Sequence, residues 1–264
     1  LASGGAPRES LVELTYPQSD PEGRYVALGQ PGTYIIAGTV ASQAPVRKVS
    51  VNGVEAATYR LENYPSYNTP EDFGIYRFRA PVVWEPDTRA VVRVIDPPLT
   101  REYAYSPDPD ATVSYWRQAA EATPGNAGLE YRLGNALFAQ NTNAAISTLS
   151  AATSIGPDEA APWSLWELGK AYLTAGRPAE ALKPLNSAIT AYPTFADAYY
   201  DRGVTYYELQ QYDQSAADLT RASELLPDWA EPLLALGQTY YAQKRLQDAA
   251  KVYERAGTIW PTWP

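Results

Sequence analysis

Leu165-Trp-Glu-Leu168-Gly169-Lys-Ala-Tyr172, followed by Ala181-x-x-x-Leu185, Ala188 and Pro193, is the stretch whose reading decides the fold. The same residue types return in the next unit as Tyr199, Gly203, Tyr206, Ser215, Leu219, Ala222 and Pro227. They return again as Leu233, Leu236-Gly237, Tyr240, Ala249, Tyr253, Ala256 and Pro261. Glycines fall at 134, 169, 203 and 237, separated by 35, 34 and 34 residues; prolines fall at 124, 157, 193, 227 and 261. Within each unit the bulky Leu and Tyr positions lie three or four apart, which is one stripe of a helix. Gly and Ala stand where two helices approach closely, and Pro stops the second helix. One unit cannot bury its stripe alone, so neighbours must stack into a superhelix.

These offsets resemble the tetratricopeptide repeat (TPR), a 34-residue helix–turn–helix. The resemblance covers residues 112–264, with repeats at about 127–160, 162–195, 196–229 and 230–263. The first of these fits with a one-residue deletion in its turn, and two extra residues follow Pro157. Ahead of it, Trp116, Ala119 and Pro124 occupy the offsets of a lone second helix, so residues 112–123 are expected to cap the array as a half-repeat. Pro184 falls inside a second helix, where it removes one backbone hydrogen bond and is expected to bend the helix.

The resemblance also implies a groove lined by the first helix of each repeat. The matching offsets carry Tyr131, Asn135 and Phe138; Trp163, Trp166, Lys170 and Leu173; Asp197, Tyr200, Val204 and Tyr207; Glu231, Leu234, Gln238 and Tyr241. A protein or peptide segment with apolar anchors suits such a stripe. Asp197, Asp201, Glu208 and Glu231 bias it toward a basic or neutral ligand and against a carboxylate clamp. The alternative is that the aromatics fill the interior of a tightly coiled array. At the C-terminal edge, Trp260 and Trp263 follow the last repeat with no polar capping helix; they either fold back or meet a partner or a second copy.

Residues 20–97 read differently. Short β-branched runs at Tyr34–Val40, Val46–Val51, Thr58–Leu61, Gly74–Val83 and Arg89–Ile95 are separated by Gly, Pro and Asn turns, a pattern for an antiparallel sandwich. Asn52-Gly53 suits a hairpin turn with positive φ at both residues. The stretch from Gly38 to Gly53 resembles the small immunoglobulin-like domains appended to bacterial envelope proteins. Residues 1–19 are read as an N-terminal extension, and 98–111, rich in Pro, as a stiff linker. Tyr64 and Tyr67 in the loop 62–73 are candidates for a partner or glycan contact, against a loop packed on its own domain.

Composition bounds the chemistry. The 264 residues carry a net charge of −9, with residues 1–110 and 111–264 both acidic, and contain neither Cys nor His. That removes Ser-His-Asp and Cys-His catalysis and the common transition-metal ligands, so no cofactor and no metal is expected. Asp108 and Asp110 lack the Gly and closing Glu of a calcium loop. The carboxylates Glu71/Asp72 and Glu85/Asp87 read as solvated turns, and the chain is not expected to be an enzyme. Acidity argues against nucleic acid, and no run of 18 apolar residues exists to span a membrane. A sequence that starts at Leu1, holds no Met and is Cys-free and Tyr-rich is read as an exported periplasmic or cell-surface protein without its signal peptide, or as a trimmed fragment. The expected function is a non-catalytic adaptor in a cell-envelope assembly. The alternative is a glycan- or cell-wall-binding protein acting through its β-sandwich.

Overall fold

The computed structural model describes residues 11–16, 25–27, 32–42, 46, 48–61, 74–84, 89–94, 99–106, 109–138, 140–155, 161–227 and 229–259. The chain divides into two compact units, Leu1–Tyr115 and Trp116–Pro264. The expected loop contacts Tyr64 and Tyr67 and the edge residues Trp260 and Trp263 lie outside the described residues.

The first unit holds the strands β1 (Leu11–Tyr16), β2 (Tyr25–Ala27), β3 (Gly32–Ser42), β4 (Val49–Val51), β5 (Val54–Glu55), β6 (Ala57–Leu61), β7 (Gly74–Trp84), β8 (Arg89–Val94) and β9 (Leu99–Ser106). They form a four-stranded sheet in the order β1-β3-β7-β6 and a five-stranded sheet in the order β2-β9-β8-β4-β5. All pairings are antiparallel except β2 with β9. Asn52 and Gly53 join β4 to β5 with φ of 51° and 81°, so Val51 faces Val54 as the Asn-Gly pair requires. Val40, Val49, Val51, Phe78, Ala80 and Val92 have no exposed surface and mark the core. Pro81 in β7 pairs with Ile35 of β3 beyond the last β6 pairing, where β7 has a partner on one side rather than two.

Two expectations are corrected here. Residues 98–111 are not a linker: β9 pairs along β8 from Leu99 to Ala104, and a helix starts at Pro109. The prolines at 97, 98, 107 and 109 bracket a Pro-free, Tyr-bearing run and leave it free to make a strand, while Pro109 opens a helix where its missing N–H costs nothing. Residues 1–19 are not all extension either, since β1 pairs with β3.

The described helices are α1 (Pro109–Ala122), α2 (Ala127–Phe138), α3 (Thr142–Ser154), α4 (Ala161–Thr174), α5 (Pro178–Ala191), α6 (Ala196–Glu208), α7 (Tyr212–Leu225), α8 (Ala230–Ala242) and α9 (Leu246–Ile259). The division between the units falls within α1, whose Trp116 and Ala120 are buried and whose Trp116 ring lies 5.1 Å beneath the Arg132 guanidinium. From α2 onward the helices pair as α2–α3, α4–α5, α6–α7 and α8–α9, and each second helix packs on the first helix of the next pair. The glycines explain the pairing distance. A Cβ built on Gly134, Gly169, Gly203 or Gly237 would stand 2.5–2.7 Å from the side chain of Leu149, Leu185, Leu219 or Tyr253 on the partner helix. α5 runs unbroken through the buried Pro184.

The turns repeat as closely as the helices. Gly176, Gln210 and Lys244 take φ of 70°, 59° and 62° at equivalent positions after α4, α6 and α8. In each case the next residue donates its N–H back five positions: Arg177 to Tyr172, Gln211 to Tyr206 and Arg245 to Tyr240, at 2.8–2.9 Å. This left-handed closure satisfies helix-end carbonyls that would otherwise be orphaned.

Candidate functional site

The first helices α2, α4, α6 and α8 lie side by side. Their shared face carries the residues singled out above, but the structure splits them into two classes. Trp163, Trp166 and Asp197 are buried, at 6%, 8% and 3% exposure, rather than lining an open groove. The cause is Phe195, in the turn that enters α6. Its ring centroid lies 4.3 Å from that of Trp163 and 5.3 Å from that of Trp166, and Tyr192 closes over it at 5.7 Å. Trp229 does the same one repeat later, stacking 4.9 Å from Tyr200. Sequence reasoning missed both residues. The available signal was an aromatic two residues after the repeat-ending proline, at Phe195 and Trp229.

Asp201 is drawn inward too. The Trp166 indole N–H donates to its Oδ2 at 2.5 Å, tying α4 to α6. Loss of water pushes this carboxyl up to about 7; Lys170 and the indole hydrogen bond pull the other way and only partly offset it, while Asp197 and Glu167 add to the rise. The Lys170 ammonium lies 3.0 and 3.2 Å from the two Glu167 oxygens, 4.5 Å over the Trp166 ring and 5.3 Å from the Phe138 ring. A cation held by a nearly buried carboxylate and two aromatic faces is fixed in place before any ligand arrives.

The family-model comparison now bears on the helix pairs directly: a tetratricopeptide repeat model matches residues 142–196, 166–227 and 200–262. These are tetratricopeptide repeats. The solved structure of MamA is 22% identical, with a TM-score of 0.53, over 58% of this chain and 88% of its own. A MamA fragment from Desulfovibrio magneticus RS-1 gives 20% identity and 0.53 over 57% of this chain and 85% of its own. YrrB, described as a TPR protein with an unusual peptide-binding site, gives 19% and 0.51 over 58% and 79%. At these identities the likeness is one of fold, a TPR superhelix. No curated protein sequence matches the chain.

On the TPR frame, the second class of face residues is half-buried or exposed. Tyr131, Asn135 and Phe138 on α2, Lys170 on α4, Tyr200 and Tyr207 on α6 and Glu231 on α8 keep part of their surface in water, and Tyr241 is 67% exposed. Tyr207 is backed by Tyr212, 5.7 Å away. Of the acidic residues of the set, Asp197 is internal, Asp201 and Glu231 are half-buried and Glu208 is exposed. No helix among the described residues is long and apolar enough to cross a membrane.

Proposed function

We propose that the TPR half is a protein-docking platform and that the chain acts as a non-catalytic adaptor. The observation that carries this reading is the partly exposed aromatic row Tyr131, Phe138, Tyr200, Tyr207 and Tyr241, which crosses α2, α6 and α8. Tyr131 and Phe138 pack on the buried cluster of Ile146, Leu149, Leu168 and Ala171, and Tyr200 packs on Ala216, Leu219 and Leu236 and beside Trp229. Rigid, amphipathic side chains on packed helices give contact area at low entropic cost. The ligand is a basic or neutral segment with apolar anchors: anchors match the tyrosines, and Glu208 and Glu231 repel acidic chains. The peptide-binding description of YrrB, a protein of the same fold, supports this choice of ligand class.

The proposal for the first unit is an immunoglobulin-like sandwich. Its support is the strand order: β1-β3-β7-β6 beside β9-β8-β4 follows the ABED and GFC arrangement of that fold. Export to the cell envelope is proposed from the Cys-free composition, which suits an oxidising compartment.

The test is photo-crosslinking of the full chain in its own cells, with a benzophenone amino acid at Tyr207 or Tyr241 and, as control, at Arg221 on α7. One protein joined to the two tyrosine positions and absent at Arg221 supports the platform. Equal adducts at all three positions exclude it. Fractionation of the same cells locates the chain.

A further inference from the structure

Glu167 and Asp201 stand at the same register, two residues before the repeat glycines Gly169 and Gly203. Three residues after Glu167 comes Lys170, whose ammonium pairs with both Glu167 oxygens over the Trp166 ring. Three residues after Asp201 comes Val204. The third repeat thus renews the carboxylate but not its cation. It renews the ring as well: Tyr200 stands where Trp166 does, with Trp229 beside it at 4.9 Å.

Asp201 is oriented without a counter-ion. Its Oδ2 accepts the Trp166 indole N–H at 2.5 Å, which fixes the carboxyl between α4 and α6. Among the described residues its Oδ1 has no hydrogen-bond partner and no ammonium or guanidinium pairs with it, while the residue keeps part of its surface in water.

The neighbouring charges come from every side of α6. On α4 they are Glu167 and Lys170, and on α6 itself Asp197. α8 adds Glu231 to the same face. Asp218 of α7 is taken up by Arg202, which also holds Asn186 of α5. Burial, then Asp197 and Glu167, keep a proton on Asp201 up to about 7, against the pull of Lys170 and the indole.

Given the docking platform proposed above, we infer that a lysine or arginine side chain of the docked segment takes, against Asp201 and Tyr200, the place that Lys170 fills against Glu167 and Trp166, and that its capture expels one proton from Asp201 to water. The second repeat is the built example of such a site, a cation between a carboxylate and an aromatic face. Lys and Arg keep their charge near neutral pH, so the pH dependence of binding is that of the face. A cation that binds only the ionised carboxylate gains affinity with the ionised fraction, about tenfold from about pH 6 to about pH 8, and levels off above.

The test starts with selection of a phage-displayed random-peptide library on the immobilised full chain at about pH 8. Peptides bearing Lys or Arg among apolar residues should be enriched, and the best of them, made synthetically, should bind about tenfold tighter at that pH than at about pH 6. Calorimetry at the lower pH in two buffers of different ionisation heat should show about one proton released per peptide bound. Asp201→Asn, which can still accept the indole N–H, should bind with no such pH dependence and no proton release. A peptide with its Lys or Arg replaced by norleucine should behave likewise on the wild type, a control that does not depend on the folding of a variant. Binders that carry no cation, an affinity equal at the two pH values, or a slope that survives either replacement overturns the inference and leaves the platform standing. A library that yields no binder overturns the platform and the inference together.

Discussion

Leu168 in the second repeat and Arg202 in the third stand at the same register, one residue before the glycine that lets the paired helices touch. Leu168 is buried in an apolar cluster with Ile146, Leu149 and Ala171. Arg202 occupies the matching place with a charge, and the packing accommodates it by satisfying its donors. Its Nε and Nη2 donate to the two oxygens of Asp218 at 2.6 and 2.7 Å, and its Nη1 donates to Asn186 Oδ1 at 2.7 Å. The Tyr199 and Tyr206 rings lie 5.4 and 5.9 Å from the guanidinium carbon. The repeat frame thus dictates where a side chain points and how much room it has. Its chemistry is negotiable provided that a polar occupant brings its partners with it.

The largest expected effect breaks that arrangement. Arg202→Ala leaves Asp218, itself nearly buried, without its counter-charge and should cost about 3–5 kcal/mol in urea unfolding. The double change Arg202→Leu with Asp218→Leu, which gives the third repeat an apolar pair like that of the second, should recover most of the loss. If Arg202→Ala costs under about 1 kcal/mol, the pair is a surface ornament and the comparison fails.

A second pair of variants tests what the two repeats share. Gly169→Ala and Gly203→Ala should each cost about 1–3 kcal/mol by overpacking against Leu185 and Leu219. The near-equal clearances, 2.5 and 2.7 Å, call for near-equal losses despite the different neighbours. A cost at only one of them would mean that the helix pairs relax independently.

The pH dependence follows from Asp201, whose carboxyl lies at about 7 because burial disfavours its charge. The folded chain holds this proton more tightly than the unfolded chain, whose carboxyl titrates near 3.8. Its contribution to stability is therefore complete below that value, declines as pH rises toward 7, and is level above it. Asp201→Asn should remove this slope, visible as a melting temperature that no longer falls across the window. An unchanged slope would assign the effect elsewhere. The smallest change is expected at Tyr241, where truncation to Ala should alter stability by no more than about 0.5 kcal/mol, whereas Trp166→Ala should cost about 3–5 kcal/mol. Equal melting of the two variants would erase the division between buried and exposed rings.

The repeat was legible because its constraints are local or fixed in register. A glycine at the close approach of each helix pair, bulky residues three or four apart on one stripe and a proline after each second helix all repeat with the period of the chain. The Asn52-Gly53 hairpin was legible for the same reason, since two residues set the turn. Strand β9 was not, because prolines on both sides made a paired strand look like a linker; only its partner β8 distinguishes the two. The candidate face was half legible: the offsets named the right helices, but Trp163, Trp166 and Asp197 could not be told from open groove residues.

By itself, then, the sequence determined helix faces, turn positions and the spacing of repeats, since these follow from backbone preference and helical periodicity over a few residues. The tertiary structure alone decided which of those faces meets water. Phe195 covers the tryptophans from the turn of the following repeat, Asp201 reaches Trp166 across 35 residues of chain, and Arg202 finds Asp218 on the paired helix. Exposure depends on what the neighbouring element places against a face, and that neighbour is set by stacking rather than by the residues of the face itself.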